Sequence, residues 1–398
     1  MIRTVLRTPL YRGVTIALFL SGVGFSAPAP LMSLFLVDEL GASLSTAGLF
    51  ALTNLTAPLA GYLIGARSDR VGDRLGLFRL CAVLGCAGWV AIAFAGQLWV
   101  PVVVNTVVLC FAGAATSQLF AAVQDRPVPG IDGVIAILRI ALVGGWVVGP
   151  VLGSLLAAWT DVRTMFLATA VCLLAQIVPL GRQRSTAVTH DVSAPSTAPG
   201  LRQMLPLIVF TTLSVLVYAG DTVKFAYLPV YMNRDLHLSS GLSGAIIGAQ
   251  PLTEILVIPI AIAAARRFGA MRVLTASCVL AVAGTFCLAV GTTAATLFAG
   301  QILIGFLWGT FGGLGIIVAQ RLLPSAIATA SAVFISAEPV SAAVGGLAGG
   351  LGVNGLGLPG VFLIPTALAA VAALGLAWMT RRYPSPAPAR PAALPAAR

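Results

Sequence analysis

The sequence predicts an all-α integral membrane protein, with twelve transmembrane helices in two pseudo-symmetric six-helix halves. Three observations predict it. The 398 residues are 59% hydrophobic and only 9% charged, with a mean hydropathy of +1.01, which no soluble domain of this length sustains. Apolar runs recur at about 20 residues, the length at which a helix crosses a bilayer core. Shifting the first half by 196 residues brings its pattern onto the second.

The spans follow in order. The first, 14–37, comes after a basic start with Arg3, Arg7 and Arg12. That order imitates a secretory leader, and Ala27-Pro28-Ala29 imitates its cleavage site. Pro30 follows, however, and the run continues to Val37, so a retained first helix is expected. The second span, 43–66, carries Asn54 near its middle; the third and fourth cover 76–96 and 99–121. The fifth, 132–157, holds Arg139, Trp146 and a glycine repeat, and the sixth, 162–180, completes a bundle over 1–180. A polar stretch with Pro195 and Pro199 reads as a cytoplasmic linker, 181–204. The seventh span, 205–232, contains Asp221 and Lys224, and the eighth, 240–265, contains Gln250 and Glu254. The ninth, 271–291, is apolar; the tenth, 294–319, sets Gly305, Gly309 and Gly313 on one close-packing face. The eleventh, 326–350, bears Glu338 before Pro339, and the twelfth, 357–380, completes a bundle over 205–382. The Pro/Ala-rich stretch 383–398 reads as a disordered cytoplasmic tail.

The repeat is weak but consistent. Glu39-Leu40-Gly41-Ala42-Ser43 falls on Asp235-Leu236-His237-Leu238-Ser239, Gly48 on Gly244, Asn54 on Gln250 and Gln124 on Gln320. Parallel halves of this kind place a substrate site between them, near the midplane. With the N-terminus in the cytoplasm, nineteen of the 23 Lys/Arg fall on the cytoplasmic side and two, Arg163 and Arg234, outside. This bias predicts that both termini are cytoplasmic and explains the net charge of +11 better than nucleic-acid binding does. All six cysteines lie in apolar runs without metal-ligand spacing, so neither a disulfide framework nor a metal site is expected. His190 and His237 both lie in connectors, which excludes histidine chemistry at membrane depth. With no nucleophile–base pair and no phosphate loop, the chain is not read as an enzyme.

Five charges break the apolar spans: Arg139, Asp221, Lys224, Glu254 and Glu338. Each costs roughly 3 kcal/mol at the bilayer centre even on mild scales, so they must pair, line a wet cavity, or both. A buried carboxylic acid can hold a proton near neutral pH, which makes Glu254, Glu338 and Asp221 the candidate coupling groups. Glu254 shares a helix face with Gln250; the plainer alternative is a neutral acid bonded to a neighbouring helix. Glu338 lies on a stripe with Ser331, Ser341 and Gly345, either as a proton carrier or as a structural acid paired with Arg139 or a backbone group. Asp221 and Lys224, three residues apart, form either a fixed internal ion pair or one that opens on protonation or substrate binding. Arg139 either holds an acid or a sugar hydroxyl, or snorkels to the interface. Trp146, seven residues on, offers a ring face of the kind sugars stack on; Tyr218 and Tyr227 are weaker candidates. Asn54, Arg139, Trp146, Lys224 and Gln250 form the expected substrate-binding set.

Two motifs carry a family resemblance. The connector Gly65-Ala66-Arg67-Ser68-Asp69-Arg70-Val71-Gly72-Asp73-Arg74 resembles the signature loop of the major facilitator superfamily, Gly-x-x-x-Asp-x-x-Gly-x-Arg. A decayed copy, Arg266 to Arg272, follows the eighth span. The run Gly145-Trp146-Val147-Val148-Gly149-Pro150-Val151-Leu152-Gly153 matches the superfamily motif associated with exporters; Gly145, Gly149 and Gly153 permit close helix approach and Pro150 a bend. Longer stretches, among them Ala29 to Leu36, Gln118-Leu119-Phe120-Ala121, Arg139 ahead of Trp146, and Glu254, are similar to the bacterial sugar efflux transporters. Val123-Gln124-Asp125 departs from the Ala-Arg-Glu expected there, and the Asp221/Lys224 pair is foreign to the family pattern.

The resemblance implies a proton-coupled transporter of the bacterial cytoplasmic membrane. By alternating access it would export a sugar, glycoside or similar polar small molecule. It implies a gate at Asp69, Gly72, Arg74 and Arg126, with the Asp69 loop beside the start of the eleventh helix when the cavity opens outward. No cofactor is expected beyond the proton gradient, and no partner beyond substrate and lipid; a monomer is expected, without nucleic acid. A multidrug antiporter is the rival of the same class, and a non-transporting receptor or scaffold the rival of another.

Overall fold

The computed structural model describes residues 2–125, 131–183 and 201–382, which contain helices and their connections and no strand. Twelve helices are long and apolar enough to cross a membrane. Helices 1 to 6 are Pro9–Glu39, Leu44–Ser68, Arg74–Ala93, Trp99–Gln124, Gly133–Trp159 and Val162–Leu180. Helices 7 to 12 are Arg202–Asp235, Ser240–Phe268, Ala270–Val290, Ala294–Leu322, Thr329–Leu356 and Gly360–Arg382. Most of the expected linker and the whole expected tail lie outside the described residues, as does Arg126; of Asp69 only the backbone is described.

Spans expected to be simple helices are interrupted, helices 1, 2, 4 and 11 among them, helix 4 by a π stretch over Asn105–Leu109. Helix 1 breaks at Ala27–Pro28, where two nearby prolines lack N–H donors, and its last turn, Phe35–Glu39, widens to π geometry. Helix 2 tightens to 3₁₀ over Phe50–Thr56. Helix 11 breaks at Ser336, so Glu338 falls in the first turn of the segment Ala337–Leu356, where N-terminal amides favour a carboxylate. Helix starts follow ordinary capping chemistry. The carboxylate of Asp161 accepts the Thr164 N–H at 2.8 Å ahead of helix 6, and that bond holds its pKa below the usual carboxylate value.

The 196-residue repeat is visible in the backbone itself. The π turn at Phe35–Glu39 recurs at Tyr231–Asp235. Gly41 at φ +67° recurs as His237 at φ +51°, and Ser43, which caps helix 2, recurs as Ser239, which caps helix 8. His237 holds the left-handed conformation without glycine's freedom because the turn geometry is shared. Glycines set the packing of both halves. Gly145, Gly149 and Gly153 bring helix 5 against the backbone of helix 1. Their counterparts Ser341, Gly345 and Gly349 lie on helix 11, where the two glycines meet helix 7.

The halves meet at the end of the bundle away from the chain termini. Gly48 packs on Gly350 and, one repeat later, Gly244 packs on Pro150 and Ser154. The Ser45 hydroxyl donates to the Gly350 carbonyl at 2.5 Å. Asp38 at the end of helix 1 pairs with Arg234 at the end of helix 7, the position equivalent to itself under the repeat. Arg163 binds Glu39 at 2.9 Å beside it. Toward the termini, among the described residues, 57–71 of helix 2 and 327–335 of helix 11 touch at most weakly, so the space between the halves opens that way.

Gly149→Ala places a methyl 2.9 Å from the Val23 carbonyl and onto the Ser26 hydroxyl. It is expected to cost about 1–3 kcal/mol. Gly65→Ala, whose methyl meets open space, is expected to be neutral or slightly stabilising. Thermal unfolding of the purified variants compares the two.

Candidate functional site

A cavity of about 550 Å³ lies between the halves, walled by helices 1, 2 and 5 from one side and 7, 8, 10 and 11 from the other. Four of the five intramembrane charges, Arg139, Asp221, Glu254 and Glu338, stand on its wall. Arg139 lines the same cavity as Glu254 and Glu338. Arg139 therefore turns to the cavity rather than to the interface.

The fifth charge does not stand there. Lys224, expected among the substrate-binding residues, is 2% exposed and lies behind the wall. Its ammonium donates to Asp221 Oδ1 and to Gln250 Oε1 and sits 4.4 Å above the Phe225 ring. Desolvation explains the displacement. A fully buried ammonium is tolerated only where a carboxylate, an amide oxygen and a ring face replace its water. A substrate reaching Lys224 would first have to pass Asp221, which borders both the cavity and the small void behind it.

The amides meet as the repeat suggests. Asn54 and Gln250, equivalent positions in the two halves, both line the cavity. Trp146 lines it as well, and so do residues that sequence reasoning passed over or ranked low. Trp308 stacks on Tyr218 with centroids 4.8 Å apart and planes 17° apart, and both reach the cavity. The available signal was its place in the helix 10 glycine run. Gly305 and Gly309 seat that helix against the carbonyls of Gln250 and Glu254, which fixes Trp308 next to them. Tyr227 is fully buried instead. Pro150 both borders the cavity and abuts Gly244, so the helix 5 motif packs on helix 1 and across the halves at once.

Of the expected gate residues, Gly72 and Arg74 are described, at the open end. Gly72, at φ +72°, ends helix 2. Arg74 pairs with Asp125 at 3.0 Å and donates to the Ser68 hydroxyl at 3.0 Å, while Ser68 donates to Gln118 at 2.5 Å. The acid at 125 thus ties helix 4 to the connector; nothing in the structure explains Val123 and Gln124. The Asp69 side chain and Arg126 lie outside the described residues.

A family profile described as Major Facilitator Superfamily matches residues 14–206 and 210–397. Sugar efflux transporter B of Salmonella typhimurium is 27% identical over 350 residues, covering 84% of this chain and 87% of that protein. Multidrug resistance protein MdtG of Proteus mirabilis is 27% identical over 232 residues, covering 55% and 56%. The crystal structure of nucleoside transporter NupG superposes with a TM-score of 0.79 at 17% identity, over 94% of this chain and all of that one.

Neutralising Asp221 leaves Lys224 as a buried, uncompensated charge, at about 3–5 kcal/mol, and neutralising Lys224 leaves Asp221 unpaired at the cavity wall, at a smaller cost. Asp221→Asn combined with Lys224→Gln is expected to recover folded yield beyond either single change. Yield and unfolding temperature in detergent measure this, and losses that merely add would show that the contact carries no energy.

Proposed function

The chain belongs to the Major Facilitator Superfamily, and on that premise we propose that it exports a sugar, a glycoside or a similar polar small molecule by alternating access against inward proton flow. The membrane is the bacterial cytoplasmic membrane, with both termini in the cytoplasm, a placement supported by the clustering of Arg and Lys at the termini end. In that orientation the structure is the cytoplasm-facing state, closed outside by Asp38–Arg234 and the glycine contacts of helices 2, 5, 8 and 11.

The observation that carries the reading is the composition of the cavity wall: three carboxylates and one guanidinium facing amides and indole rings across the two halves. An exporter driven by protons needs an acid that substrate and proton occupy in turn. Glu254, Glu338 and Arg139 line the same cavity, so a proton loaded on either acid weakens the pull on the guanidinium and leaves it to the other acid or to a substrate oxygen. Asp221, already bonded by Lys224, senses occupancy through that pair. Trp146 and Trp308 supply flat apolar faces for a sugar ring, and Asn54 and Gln250 supply hydrogen bonds. Asp69, Gly72, Arg74 and Arg126 form the cytoplasmic gate. The relative named as a sugar efflux transporter, similar over most of its length, supports this substrate class.

A second reading, a multidrug antiporter, is favoured by the stacked Tyr218 and Trp308 on the cavity wall and by the similarity to a multidrug resistance protein over about half the chain. Uptake into everted vesicles, with a panel of sugars, glycosides and cationic drugs and with or without a proton gradient, separates the two. Glu254→Gln keeps the shape and hydrogen-bonding reach of the side chain but cannot titrate. It is expected to abolish gradient-driven uptake while leaving substrate binding within a few-fold of the parent. Full gradient-driven uptake by this variant would remove Glu254 from the coupling role.

A further inference from the structure

Helices 2 and 4 are distorted at the same depth. Helix 2 tightens to 3₁₀ over Phe50–Thr56, and helix 4 widens to π over Asn105–Leu109. The equivalent stretches of the second half, in helices 8 and 10, are uninterrupted α-helix. Distortions of this kind inside membrane helices recur at functional sites. Here they bring Thr53, Asn54 and Thr56 against Asn105 and Thr106.

The hydrogen bonds among these residues can be assigned by counting protons. The Thr53 hydroxyl donates to the Phe50 carbonyl at 2.6 Å, which uses its one proton. Its oxygen can then only accept. Asn105 stands 2.6 Å from that oxygen, so the atom facing it is the amide nitrogen, Nδ2. The second N–H of the same nitrogen points to Asn54 Oδ1 at 3.1 Å. A reversed Asn54 would set two donors against each other. With its oxygen engaged from behind, Asn54 keeps its N–H edge for the cavity it lines. One turn further on, the Thr56 hydroxyl donates to the Thr106 carbonyl at 2.7 Å and fixes the register of the two helices.

The equivalent amide in the other half is set the same way by different chemistry. Gln250 Oε1 accepts from Lys224, so the edge left to the cavity is again the NH₂ group. Both amides are therefore backed by a donor, and both present donors.

We propose that Asn105 is a positioning residue: it holds Asn54 with its N–H edge toward the cavity, so that the ligand group received there is a hydrogen-bond acceptor, a hydroxyl, ring or glycosidic oxygen. This rests on reading the cavity as a sugar or glycoside site. Asn105 does not line the cavity and acts only through Asn54.

The probe is p-nitrophenyl β-D-glucoside with its monodeoxy and monodeoxyfluoro analogues, titrated against the full-length protein in detergent. Fluorine accepts a hydrogen bond but donates none. For wild type, at least one position is expected where the deoxy analogue binds about tenfold or more weaker while the fluoro analogue keeps most of the affinity. Asn105→Ala is expected to erase that fluoro-over-deoxy preference and weaken the parent glucoside five- to tenfold. Asn54→Ala should do the same, and the double variant no worse than either. Thr53→Val, which removes the acceptor that orients Asn105, provides the same reading with a smaller effect if Asn105→Ala fails to fold. A folded Asn105→Ala with the preference intact, or a wild type that treats fluoro analogues like deoxy ones, overturns the proposal. If wild type binds no glucoside at all, the sugar reading falls and the ligand half of the proposal with it. The Asn54–Asn105 tie is then decided by a double-mutant cycle of thermal unfolding: additivity overturns it, coupling sustains it.

Discussion

In the hydrocarbon core no water is at hand to satisfy a charge or an open polar group. That single constraint organises this molecule. Arg139, Asp221, Glu254 and Glu338 stand on the cavity between the halves, while Lys224, withdrawn from it, is enclosed by Asp221, Gln250 and a phenyl ring. At the distorted stretches of helices 2 and 4, Thr53, Thr56 and Asn105 bond to each other and to neighbouring carbonyls.

The scaffold is symmetric and the chemistry is not. Turns, caps and glycine contacts repeat at 196 residues, down to Asp38 pairing with its own counterpart Arg234. The charged side chains do not repeat. Arg139, Asp221, Glu254 and Glu338 correspond to Ile335, Phe25, Pro58 and Leu142. Three acids stand in the second half and one base in the first, so opening and closing the gap between halves changes the distance between unlike charges. A transporter whose coupling groups faced each other within one half would lack that lever. This asymmetry is what connects proton occupancy to the rocking of the halves in the proposed cycle.

Glycine performs a second task here. Helices in lipid gain nothing from hiding apolar surface and must gain by approaching closely. Gly149 and Gly345, Gly48 and Gly244, each come against the backbone of a neighbouring helix and a hydroxyl-bearing side chain beside it. Such faces are smooth, and the contacts of Gly48 and Gly244 lie across the halves at the closed end. The polar contacts that separating them breaks include the Ser45 bond, the Ser33 hydroxyl on the Phe225 carbonyl and the Asp38–Arg234 pair.

The sequence by itself determined the twelve helices, the pairing of the halves and the intramembrane charges that had to be answered. Hydropathy and repeat spacing are local properties of the chain, so they are legible without coordinates. It also pointed to Asn54, Arg139, Trp146, Gln250, Glu254 and Glu338, because a polar or large aromatic group within an apolar run stands out. Only the tertiary structure decided that Lys224 faces away from the cavity, that Trp308 and Tyr218 face it, and that Asn105 backs Asn54. Those outcomes depend on the rotation of each helix about its axis and on where helices 2, 4 and 11 break. Rotation and breakage are set by contacts between residues 50 or more positions apart, such as Asn105 with Thr53 and Gly309 with Glu254. No spacing along the chain records them.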